Sequence, residues 1–186
     1  MGSKQTLKVL IIIPTKLDST RLKNKNIQKI KGKYLVEYSI DYAKSSKHDT
    51  TIIVSTESSI VRDIAIKNNV YVFSRPEHLL KDAEVTDVYI DICSKLEEEY
   101  DLVVALQPDN PDRSNTLDDC IDYMISNNYD DLITVNPLYK RSGSVRIFKF
   151  EYLKNSLVSK RVGCIQDSAT DIHYVDDLKL VEQKIG

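Results

Sequence analysis

Glycine is scarce, with five residues in a chain of 186, and no GxGxxG or GxxxxGK[ST] pattern occurs. This argues against a dinucleotide fingerprint and a P-loop, because both need glycine for the backbone to approach phosphate closely. Tryptophan is absent, and the three cysteines, Cys93, Cys120 and Cys164, lie far apart without a CxxC pair. A zinc site is therefore not expected. Long apolar runs are missing as well: Leu10–Ile13 is far short of the roughly 18 residues of a membrane span. Neither charge sign dominates, since 26 basic and 28 acidic residues leave a net charge of −2. General affinity for nucleic acid or a membrane is not expected, and anion binding has to be local. Met1-Gly2-Ser3-Lys4 is too polar to open a secretory leader, the thiol count is odd, and the expected compartment is the reducing cytoplasm.

Hydrophobic residues at 41% and charged residues at 29% suit one globular domain over residues 1–186. Short apolar runs predict strands at 8–13, 51–55, 70–73, 102–106, 132–135 and 145–150. Amphipathic stretches predict helices at 34–46, 59–69, 85–99 and 116–128. In the last, Leu117, Ile121, Met124 and Ile125 share a face, and Ser114 or Asn115 can cap the start. Strands alternating with helices imply an α/β three-layer sandwich with a mostly parallel central sheet. Ligands of such sheets bind beyond the carboxyl ends of the strands. The loops to inspect are 14–26, 55–59, 74–82 and 107–114.

The first of these carries the most chemistry. "VLIIIPTKLDSTRLKNKN" breaks a hydrophobic strand at Pro14 and continues into Lys16, Arg21 and Lys25, with Ser19 and Thr20 between them. Several cations and hydroxyl donors on one loop can hold a polyphosphate and stabilise charge on a departing pyrophosphate. A solvated basic loop without a ligand is the alternative on composition alone.

The segment "IIIPTKLDSTRLKNKNIQKIKGKYLVEYSI" resembles the opening of the cytidylyltransferases that activate sialic acids and other acidic sugars as CMP conjugates. Pro14, Ser19, Arg21, Lys25 and Asn26 fall in register with that family. Lys16 stands where it has arginine, and Leu17 and Asp18 replace two glycines. The resemblance continues in order through "IIVSTESSIVRDIA", "SRPEHLLKDAEVTDV", "VVALQPDNPDR" and "DSATDIHYVDDLKLVE". It implies a nucleotide-diphosphosugar-transferase-like (Rossmann-like) fold and CMP transfer from CTP to a small acidic acceptor. It also implies that Ser55 and Thr56 line the base pocket, that Arg75 belongs to the nucleotide site and that Gln107 contacts substrate.

Nucleotidyl transfer needs a divalent cation, and Mg²⁺ takes a few carboxylates with several waters. The resemblance points to Asp109 and Asp171 for that role, with a turn beside two prolines as the other reading of Asp109. His173 replaces the family's second aspartate and is a poorer ligand for Mg²⁺ than for softer metals. Three readings follow: the two aspartates suffice, the metal is Mn²⁺ or similar, or catalysis is weakened. Asp176 and Asp177 are expected to cap the final helix. The sugar-pocket and dimerisation segment of the family is largely missing near 137–143, which puts the usual dimer in doubt. Lys140, Arg141 and Arg146 are then either a basic hairpin rim or a fork for a carboxylate, phosphate or phosphonate. A phosphonate or phosphorylated acceptor, or a nucleotide-binding protein without catalysis, are the competing functional readings.

Overall fold

The computed structural model describes residues 6–17, 21–80 and 83–185. In chain order the strands are β1 Lys8–Pro14, β2 Lys29–Ile30, β3 Lys33–Tyr34, β4 Asp49–Thr56, β5 Tyr71–Ser74, β6 Leu102–Leu106, β7 Asp131–Val135, β8 Arg141–Lys149 and β9 Val162–Gln166. The α-helices are α1 Leu35–Lys44, α2 Ser59–Lys67, α3 Val85–Lys95, α4 Leu117–Ser126, α5 Phe150–Lys154 and α6 Val175–Lys184.

Seven strands form one sheet in the order β5-β4-β1-β6-β8-β7-β9. All run the same way except β8, which is antiparallel to both β6 and β7. Val9 through Ile13 of β1 are fully buried, as expected of a β-branched strand covered on both faces. One face packs Val9, Ile11, Ile13 and Val54 beneath α1, α2 and α4; the other packs Leu10, Ile12, Val103 and Ala105 beneath α3 and α5. Each fully buried Leu or Ile of this kind contributes about 1.5–3 kcal/mol of transfer free energy. A smaller third cluster joins Leu22, Ile30, Leu35, Ile172 and Val181.

From β1 the chain winds outward to β4 and β5, then crosses to β6 on the other side of β1. The strand order therefore reverses between β1 and β6, and the crevice beyond their carboxyl ends is where such sheets bind ligands. Pro14 pairs with Ser55 and Ile12 with Ala105, so the β1, β4 and β6 loops leave the sheet at one level.

Several local expectations need correction. β8 ends at Lys149, and Phe150 opens α5 to pack in the core. The strand β9 was not expected, because "VGCIQ" has too few apolar residues to stand out; it is a sheet edge paired with β7. The β2–β3 hairpin turns through Lys31 and Gly32 at φ 49 and 80, the doubly positive pair that favours tight hairpins. Thr116, rather than Ser114 or Asn115, caps α4 by accepting from the Asp119 N–H at 3.1 Å. Cys120 takes the buried place expected for Ile125, which is 48% exposed. Asp177 caps α6, accepting from the His173 and Tyr174 N–H groups at 2.8 Å each, while Asp176 pairs with Lys179.

Candidate active site

At the crevice between β1 and β6 lies a cleft of about 370 Å³. It is lined by the polar residues Lys16, Arg21, Lys25, Asn26, Arg75, Gln107 and Asp109 and by the apolar residues Pro14, Leu79, Leu80, Ala83, Val85, Val88 and Pro108. The β1 loop is held from within. The Asn26 side-chain amide donates to the Lys16 carbonyl at 2.7 Å, and the Leu17 N–H donates to Glu57 at 2.8 Å. Asn24, in the left-handed region at φ 53, turns the chain into a short 3-10 turn at Lys25–Ile27. These contacts carry Lys16 and Lys25 to the same opening in a loop without glycine.

Oδ1 of Asn26 and Nε of Arg75 on this wall are buried and lack a partner among the described residues. The Arg75 guanidinium is aimed by its Nη2, which donates to the Ser55 carbonyl at 3.2 Å, and burial lowers its pKa. Buried groups of this kind are costly when unsatisfied, so they point to a ligand that would meet them.

The β6 loop supplies the facing wall. The Gln107 carbonyl accepts from Arg113 Nη2 at 2.6 Å, and Arg113 Nε donates to the Ser144 carbonyl of β8 at 3.0 Å. Arg113 also stacks over the Tyr42 ring at 4.8 Å. The Gln107 side chain lies over Gly143, whose φ of 74 suits glycine. Arg113 closes the segment "VVALQPDNPDR", but sequence reasoning assigned it no role; its clasp is visible only in three dimensions.

Asp109, 9% exposed, forms an ion pair with Lys25 across the cleft. The Ile172 N–H donates to the Asp109 carbonyl at 3.1 Å and brings Asp171 alongside. Partial burial and then the Asp109 carboxylate raise the Asp171 pKa, against the pull of His173, Lys25 and Arg21. His173 Nε2 lies 2.9 Å from the Asp171 carboxylate, and its Nδ1 is buried without a partner among the described residues. Two hard carboxylates close enough to influence each other fit a Mg²⁺-type cation that keeps waters. His173 is a partner of Asp171 in this arrangement, and no group of three metal-binding side chains occurs among the described residues.

Other expected positions fall elsewhere. Ser55 and Thr56 are fully buried in β4 and present no surface to the cleft; the Ser55 carbonyl instead aims Arg75, and Thr56 Oγ1 accepts from the Ser58 N–H. Arg146 is committed to Asp131 by two hydrogen bonds of 2.8 and 3.2 Å and lies over Phe148, so it is a structural pair and not a free fork. Lys140 and Arg141 are exposed at the β7–β8 hairpin. Asp18, Ser19 and Thr20 lie outside the described residues. Glu57, which holds the β1 loop, was also missed; its only signal is its place directly after "IIVST".

A mostly parallel α/β sheet with a cationic cleft at its switch point has the architecture in which open α/β sheets bind ligands. Residues 10–175 match the family described as Cytidylyltransferase, and the chain belongs to that family. It is 33% identical over 112 residues to a CMP-N,N'-diacetyllegionaminic acid synthase of Legionella pneumophila, an alignment covering 58% of this chain and 48% of that protein. The chain thus spans about half the length of that curated relative. It is 29% identical over 219 positions to the post-translational flagellin modification protein B of Campylobacter coli, covering 94% and 93% of the two chains. The fold is shared with CMP:2-keto-3-deoxy-manno-octonic acid synthetase complexed with CTP, at a TM-score of 0.77, 15% identity and coverage of 96% and 98%. No helix among the described residues is long and apolar enough to cross a membrane.

Proposed function

We propose that the chain transfers CMP from CTP to a small acidic sugar and releases pyrophosphate. The observation that carries this reading is the cleft at the β1–β6 switch point, with Lys16, Arg21, Lys25 and Arg75 on one wall and Gln107 and Asp109 on the other. Family membership and the acids in the names of the relatives, N,N'-diacetyllegionaminic acid and 2-keto-3-deoxy-manno-octonic acid, support the substrate class.

Lys16, Arg21 and Lys25 hold the phosphates of CTP in this scheme. Lys25 leaves Asp109 to do so, and Asn26 and Arg75 complete their hydrogen bonding on the nucleotide. The acceptor hydroxyl attacks the α-phosphorus in line. The bond to the bridging oxygen breaks, pyrophosphate carries away the electron pair, and the hydroxyl proton passes to solvent water. No covalent enzyme intermediate is needed, so the chain contributes positioning and charge stabilisation. A divalent cation, Mg²⁺ or Mn²⁺, held by Asp109 and Asp171 would neutralise charge on the leaving phosphates. The short β7–β8 hairpin leaves the acceptor side open. A smaller acceptor, such as a phosphonate or phosphorylated compound, is the second reading this feature favours.

The test is pyrophosphate release from each of the four NTPs, with Mg²⁺ and then Mn²⁺, against acidic sugars and small phosphonates. Release with CTP and one acceptor is the expected result. CTP binding without release from any pair would replace catalysis with nucleotide binding alone.

A further inference from the structure

The third hydrophobic cluster sits directly behind the cleft. Leu22 follows Arg21 in the β1 loop and is 9% exposed, although Arg21 and Lys23 on either side of it are exposed. Leu22 shares its cluster with Ile172 and Val181, both fully buried, and with Ile30 and Leu35 of the hairpin and α1. A loop rich in cations is thus anchored by one leucine, and part of the apolar pocket receiving it comes from the C-terminal segment.

That segment also grips the opposite wall. The Ile172 N–H donates to the Asp109 carbonyl at 3.1 Å, and the Asn110 side-chain amide donates to the Thr170 carbonyl at 3.1 Å. Asp112 accepts from the Thr170 N–H at 2.7 Å and from the Thr170 hydroxyl at 2.8 Å. Lys184, at the far end of α6, returns to Asp112 at 3.0 Å and to the Thr170 hydroxyl at 2.7 Å. Apolar packing therefore ties the strap to the phosphate-facing loop, and hydrogen bonds tie it to the loop bearing Gln107 and Asp109.

We propose that Thr170–Lys184 is a strap that sets the spacing of the two cleft walls, with Ile172 and Val181 as positioning residues acting through Leu22 on Arg21 and Lys25. The role in CTP binding rests on the cytidylyltransferase reading above; the control of the β1 loop does not. Within α6, Val181 is the one buried residue, and Leu178 and the following Ile185 are partly buried against the same cluster. An element held by a small satellite cluster opens at lower free energy than the sheet, so the loop it anchors opens with it.

Trypsin reads the loop without any ligand, because Arg21, Lys23 and Lys25 are cleavage sites and cleavage tracks the population of the opened form. The full chain carrying Val181→Ala is compared with Ile64→Ala, a truncation of a buried residue in α2 belonging to the large cluster on one sheet face. Val181→Ala is expected to speed cleavage in the loop by about threefold or more and to weaken CTP binding by about tenfold. Ile64→Ala is expected to lower Tm at least as much while leaving loop cleavage and CTP affinity unchanged. Equal loop cleavage in the two variants at matched loss of Tm overturns the strap. Should Val181→Ala not fold, Ile172→Val makes the same cut more gently and is scored by the same comparison. If the unmodified chain binds no CTP, the functional reading fails, and the trypsin comparison still decides the strap.

Discussion

Replacing Lys25 with methionine tests the electrostatics of the cleft most directly, because two quantities should fall while a third rises. Lys25 and Asp109 are paired with side chains 15% and 12% exposed. The gross attraction of such a pair is about 4 kcal/mol at the effective dielectric of a near-surface site, and the desolvation of both ions offsets much of it. Lys25→Met leaves Asp109 beside Asp171 with less compensating charge. The stability loss, reduced by the residual exposure, is therefore expected at about 1–3 kcal/mol. CTP affinity should fall by about 10- to 100-fold, the equivalent of one charge-assisted hydrogen bond to phosphate. Affinity for Mn²⁺ without nucleotide should instead rise by about three- to tenfold, because the ammonium no longer competes for the Asp109 carboxylate. Urea titration, CTP titration and Mn²⁺ paramagnetic resonance measure the three. Unchanged or weaker Mn²⁺ binding in Lys25→Met would refute the reasoning. In the companion Asp109→Asn variant, Mn²⁺ binding should be lost.

Two further predictions concern the frame of the site. Lys149 above all, then the Arg161 and Lys160 N–H groups, hold the Asp130 carboxyl down to about 2 from its ordinary 3.8. A depressed carboxylate pKa stabilises the fold above the unfolded value, and that stability is lost as pH falls from 3.8 toward about 2. Asp130→Asn should therefore be less stable than the unmodified chain at neutral pH, and urea titrations over an acid series should show the difference shrinking across that window. A difference independent of pH would contradict the assignment. Arg113→Met removes the bonds to the Gln107 and Ser144 carbonyls and should destabilise by about 2–3 kcal/mol. Arg113→Lys should recover only part of this, because a single ammonium cannot reproduce a fork reaching both carbonyls; full recovery in thermal unfolding would argue against the clasp.

Val9–Ile13 announced a buried parallel strand, because burial on both faces requires an unbroken apolar run, and β1 has that environment. The cationic residues after it also reach the cleft, since a loop leaving the carboxyl end of a switch-point strand has few other places to go. Ser55 and Thr56 went astray because a motif specifies backbone placement more closely than exposure, and here the β4 end is covered. Arg146 looked free in "SVRIFKF", but its partner Asp131 lies across a hairpin whose register was not legible. The edge strand β9 was missed for a related reason: an edge needs little hydrophobicity of its own when its neighbour supplies the pairing.

What the sequence determined by itself was therefore local or periodic: the alternation of strand and helix, the scarcity of glycine in the β1 loop, and the residue types offered to an anion. Tertiary structure alone decided which charges meet and what holds them. Lys25 and Asp109 stand 84 residues apart and pair only because β1 and β6 are neighbours. Leu22 and Val181 share a pocket only because the C-terminal segment returns to the β1 side of the sheet. Periodicity reports the face a side chain takes within its own element. The partner across space is set by strand order and register, which depend on the whole chain packing at once.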